Sequence, residues 1–124
     1  MRDVAAVVER LEQAALAQLA GATGDTSLCT LARSGRSHPA AKFHEGAARA
    51  MADVRRGLRR TTDGDPTSVR RQVTDRWLAD QEAFATRGGR DWEAYYAGGI
   101  DALERLADEV ADEPDRPGDE PRPG

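Results

Sequence analysis

Two histidines, one lysine and one cysteine are the side chains of this sequence best suited to acid–base, nucleophilic or metal chemistry near neutral pH. Both histidines and the lysine fall in one stretch, RSHPAAKFHEG at residues 36–46, with Glu45 beside His44. That composition invites two readings, a metal site built on His38 and His44 or a general acid–base pair of His44 and Glu45. Helical geometry argues against both. Six residues of α-helix rotate through about 600°, so His38 and His44 would face different sides, and Pro39 sets the helix start after His38. Consecutive residues on a helix do not face each other, so Glu45 is expected to pair along its own helix, with Lys42 or Arg49. Cys29 has no second cysteine to complete a metal set or a disulfide and no base other than those same histidines. The expectation is therefore a non-enzymatic protein with no catalytic residues, no metal and no cofactor.

The other chemically pointed feature is arginine. Residues 33–76 hold eleven basic and five acidic side chains, whereas residues 108–124 hold two basic and seven acidic, and the whole chain carries −4. Arg55, Arg56, Arg59 and Arg60 close one helical segment, and Arg70 and Arg71 open the next. A hairpin over residues 55–71 would bring six guanidinium groups to one end, a surface for phosphate, nucleic acid or an acidic partner. The plainer reading is that cations at a helix C-terminus complement its dipole. A helix-turn-helix over SLCTLARSGRSHPAAKFHEG is disfavoured, because the residue after Gly35 is Arg36 rather than an apolar side chain.

These residues must be carried by helices, because apolar positions recur at spacings of three and four and none alternate with period two. Val4, Val7, Val8, Leu11, Ala15 and Leu19 mark a first helix over 3–20, capped by Asp3 and stopped by Gly21. A second runs from Pro39 to about Arg60 on Phe43, Ala47, Ala50 or Met51, Val54 and Leu58. Asp65-Pro66 repeats a cap-then-proline start for a third, lined by Val69, Val73, Trp77 and Phe84 and ending near Gly88. A fourth begins after Arg90 with Asp91 as cap and carries Trp92, Tyr95, Tyr96, Ile100, Leu103, Leu106 and Val110. TSLCTLAR, after residue 24, has the pattern of a short extra helix. The fold class expected is an all-α, antiparallel up-and-down bundle of four main helices over residues 1–112, followed by a disordered Pro/Gly/acidic tail over 113–124.

Val, Leu, Ile and Phe together make up only nineteen of 124 residues, and alanine fills much of the remaining apolar fraction. Such a thin core buries little area per residue, so a second copy or another protein is expected to cover apolar surface. Gly46, Ala50 and Gly57 share one helical face at spacings of four and seven, the pattern of a close helix contact, with Gly98-Gly99 as a candidate matching surface. The absence of a long apolar run and the acids within MRDVAAVVERLEQAA point to a cytoplasmic chain without a membrane span. The function expected is a small interaction or regulatory protein that self-associates through its alanine- and glycine-rich faces; the runner-up is a nucleic-acid or anion binder using the arginine hairpin.

Overall fold

The computed structural model describes residues 3–23, 39–61, 65–84 and 87–111. The short helix expected after residue 24, His38, Cys29 and the acidic tail lie outside them. Among the described residues the chain is an all-α bundle of four helices: α1 (Val4–Thr23), α2 (Pro39–Arg60), α3 (Pro66–Phe84) and α4 (Gly89–Ala111).

The helix starts follow local chemistry. Asp3 caps α1, its Oδ1 accepting the Ala5 N–H at 3.1 Å and its carbonyl accepting that of Val7 at 3.1 Å. Asp65 does the same for α3, taking the Thr67 N–H on Oδ1 at 3.2 Å with Pro66 in the first helical position. Three boundaries differ from expectation, the first being that α3 ends at Phe84 and not near Gly88. α1 runs through Gly21 to Thr23, because Gly21 keeps a negative φ and a glycine ends a helix only when it turns left-handed. α4 begins at Gly89, whose φ of +77° redirects the chain, so Asp91 sits inside the first turn instead of capping it.

The pairing of side chains sets the topology. Arg55 meets Glu12 while His44 shares a cleft with Gln18, so α1 and α2 are antiparallel. Gly57 lies on Val69 and Asp53 bonds Trp77, so α2 and α3 are antiparallel, and the short 84–89 connection makes α3 and α4 antiparallel in turn. Helices α2 and α4 therefore run parallel, at diagonal positions of an up-and-down bundle, yet theirs is the most extensive interface in the fold. Helix α1 packs mainly on α2 and α3 mainly on α4, and α1 and α3 share no extensive interface among the described residues.

Glycine makes that diagonal contact close. A Cβ on Gly46 would lie 1.8 Å from the Tyr95 carbonyl oxygen, and one on Gly98 would lie 1.9 Å from the Phe43 carbonyl oxygen. The contact is reciprocal: Phe43 and Gly46 are three residues apart, as are Tyr95 and Gly98, and each carbonyl rests on the other helix's glycine. Cα–H···O contacts and dispersion hold such a seam. Around it lie Met51, Val54, Leu103 and Leu106, which with Val8 are the largest fully buried side chains. No polar or charged residue is buried among the described residues.

The bundle has two unlike ends. The α2 C-terminus and the α3 N-terminus, each carrying arginines, lie at one, and Phe43, Phe84, Trp92, Tyr95 and Tyr96 at the other. Phe84, expected in the core stripe, is 49% exposed because α3 stops there. No described helix is long and apolar enough to cross a membrane.

Candidate functional site

Among the described residues Asp53 is the polar side chain with the most hydrogen-bond and ion-pair partners. It projects from α2 toward α3 and is 13% exposed. Its Oδ2 accepts the Trp77 indole N–H at 2.9 Å and meets Arg76 at 3.2 Å. Its Oδ1 accepts from Arg56 at 2.7 Å and has the Arg49 Nε at 3.6 Å. One carboxylate thus holds three guanidinium groups and an indole, from two helices. Asp53 is i+4 from Arg49 and i−3 from Arg56, the two spacings at which helical side chains meet, and Arg76 arrives one turn of α3 away from Val73.

Two clefts flank this carboxylate. On the side toward the arginine end, α2 and α3 leave a polar groove of about 430 Å³ whose charged lining is Asp53, Arg56, Arg60 and Arg76, with Thr61 and Gln72 beside them. On the aromatic side a smaller cleft of about 250 Å³ is bounded by Arg49, Asp53, Arg76, Asp80, Tyr95 and Tyr96. Its charges cancel.

The aromatic end is built by stacking across α3 and α4. Trp77 packs on Tyr95 and Tyr96 at ring-centroid distances of 5.4 and 5.8 Å, and Trp92 on Tyr95 at 5.1 Å. The six-membered ring of Trp77 occupies the space that a Gly99 side chain would need. The Lys42 ammonium stands 4.8 Å from the Trp92 ring centre, a cation–π distance, and also pairs with Glu45 at 3.0 Å. Both Tyr95 and Tyr96 are half-buried, and burial pushes both phenol pKa values above their ordinary value, with Asp80 adding to the shift of Tyr96.

The residues expected to form an arginine cluster separate. Arg55 turns toward α1 and makes a two-bond pair with Glu12 at 2.9 and 3.1 Å, which raises its own pKa through that hydrogen bond and charge. Arg56 and Arg60 face the α2–α3 groove, while Arg70 and Arg71 do not line it. Arg59, Arg60 and Arg71 make no ion pair among the described residues. The expected glycine face separates too: Gly46 lies against α4 with fully buried Ala50 nearby on α2, whereas Gly57 lies against Val69 of α3. His44 is half-buried beside Phe43, in a cleft between α1, α2 and α4. No group of three or more metal-ligating side chains occurs among the described residues.

Sequence reasoning missed Asp53, Arg76 and the indole bond. The available signal was the Arg49-x-x-x-Asp53-x-x-Arg56 spacing on α2; nothing local announces Trp77 and Arg76, which are brought in by the hairpin. No family model matches the chain, and neither a curated protein nor a solved structure does so.

Proposed function

We propose that this chain is a non-enzymatic interaction protein that acts in the cytoplasm and self-associates through its aromatic end. The observation that carries the reading is the exposure of Phe84, at 49%, and Trp92, at 41%, on either side of the short α3–α4 connection. Large aromatic side chains at a helix junction are efficient contact residues, because they bury much area with few rotatable bonds. Gly46 and Gly57 of α2 and Gly98 and Gly99 of α4 are taken up by contacts inside one chain, and of the exposed large apolar side chains among the described residues, Leu16, Leu78, Phe84 and Trp92, the two aromatic ones flank one helix junction. A core whose buried positions are mostly alanine and valine leaves such a domain with a modest margin of stability, and a second copy covering Phe84 and Trp92 adds to it.

The test is sedimentation velocity on the full chain over about two decades of concentration, beside Phe84→Ser/Trp92→Gln. The proposal expects the wild-type sedimentation coefficient to rise with concentration and that of the variant to stay at the monomer value, with unchanged helical circular dichroism. A wild-type chain that remains monomeric at the highest concentration refutes the reading, as does a variant that associates equally well.

A further inference from the structure

The α2–α3 groove has a feature the self-association reading does not use, an excess of ordered guanidinium donors over acceptors. We propose that this groove binds a phosphate-class dianion through Arg56, Arg60 and Arg76.

Charge selects the ligand. Among the described residues three arginines and one carboxylate line the groove, an excess of two positive charges that complements a phosphate monoester near neutral pH. Donor geometry selects it further. Asp53 engages a single Nη of Arg56 and of Arg76, at 2.7 and 3.2 Å. Each guanidinium has five N–H donors in a planar fork, so most of those donors remain available. The carboxylate fixes these two side chains from opposite walls, α2 and α3, without consuming their capacity. Holding them in place beforehand lowers the entropy lost when an anion arrives.

Arg60 stands at the mouth of the groove with no ion pair among the described residues, and Thr61 and Gln72 supply further hydrogen-bonding groups. A volume of about 430 Å³ admits a phosphate with its water or a phosphorylated side chain. The cleft on the other face of Asp53 lacks this property, because Asp53 and Asp80 there balance Arg49 and Arg76. In this arrangement Asp53 is a positioning residue, and the arginines make the contacts.

Calorimetric titration of the full chain at low ionic strength with inorganic phosphate and with phosphoserine amide tests the assignment. Wild type is expected to bind one equivalent saturably, and Arg60→Gln about tenfold more weakly, the usual weight of one charge-assisted contact. Arg60 is exposed at the end of α2, so its replacement leaves the fold in place, and Arg90→Gln at the opposite end serves as the equal-charge control. Tighter binding of phosphoserine amide identifies a phosphorylated side chain as the source, and equal or tighter binding of inorganic phosphate identifies the free ion; both support the site when Arg60→Gln weakens them. Absence of saturable binding by wild type overturns the proposal. So does an equal loss in Arg90→Gln, which would show attraction to overall charge alone.

Discussion

Replacing Gly46 by alanine sets two effects of opposite sign against each other. Intrinsic helix propensity favours alanine inside a helix by about 1 kcal/mol. Packing opposes it, because the new Cβ would stand 1.8 Å from the Tyr95 carbonyl oxygen, 2.8 Å from its carbonyl carbon and 3.2 Å from Gly99 N. Ordinary carbon–oxygen contacts begin near 3.3 Å, so α2 and α4 would have to separate by roughly 1.5 Å at their crossing. The carbonyl cannot swing aside, since it belongs to the hydrogen-bond ladder of α4. A gap of even 0.5–1 Å forfeits about a quarter to a half of each dispersion contact along the seam, which includes Met51, Leu103 and Leu106. Overpacking of this kind commonly costs about 1–3 kcal/mol and occasionally more, and a backbone clash belongs at the upper end. After subtracting the propensity gain, the net loss is about 2 kcal/mol, a fall in Tm of roughly 9 °C at about 2.1 cal/mol/K of unfolding entropy per residue. Gly21→Ala is the internal control: a Cβ there meets nothing within 4 Å, so propensity acts alone and raises stability by about 0.5–1 kcal/mol. Urea and thermal unfolding followed by circular dichroism at 222 nm measure both. If Gly46→Ala matched or exceeded wild type in stability, the close parallel contact between α2 and α4 would be wrong.

Trp77→Phe removes both the indole bond to Asp53 and the ring packed on Gly99, and should cost about 2–3 kcal/mol in urea unfolding. Its fluorescence should lose the blue component of buried Trp77 and keep the redder emission of exposed Trp92; an unchanged spectrum would contradict the burial of Trp77. Tyr95 and Tyr96 have folded pKa values above the ordinary 10.0, so the folded state holds their protons longer than the unfolded chain does. Stability from these groups is therefore complete below pH 10 and falls as pH rises from there through the folded values. Absorbance titration at alkaline pH should show tyrosinate forming later in the folded protein than in urea, and coincident curves would refute the burial of these rings.

Much of the fold is written locally. Asp3, Pro39 and Asp65-Pro66 announce helix starts because a cap needs only a side chain and its own next turn. Gly46 and Gly98-Gly99 stand out in the sequence because glycine inside a helix has a cost that close packing must offset. What the sequence does not contain is the partner across the contact. Gly46 and Gly57 look equivalent on a helical wheel, but α2 crosses α4 near the first and α3 near the second. Arg55 and Arg56 are neighbours with opposite fates, one drawn to Glu12 on α1 and the other to Asp53, and that division depends on which helix flanks each side. Of the Asp53 cluster only the α2 half, the spacing of Arg49, Asp53 and Arg56, is written locally; Arg76 and Trp77 arrive from α3. Helix ends were legible where a side chain decides them and illegible at Gly21, where the backbone angle does.

The claim that the aromatic end is the contact surface between copies can be tested on the native chain without any substitution. Trp77 is buried, so iodide quenching of tryptophan fluorescence reports mainly on Trp92. Measured across the concentration range in which sedimentation shows association, the quenching constant should fall as Trp92 becomes covered by a second copy. A quenching constant that stays at its dilute value while the chain associates would place the contact elsewhere and contradict the account.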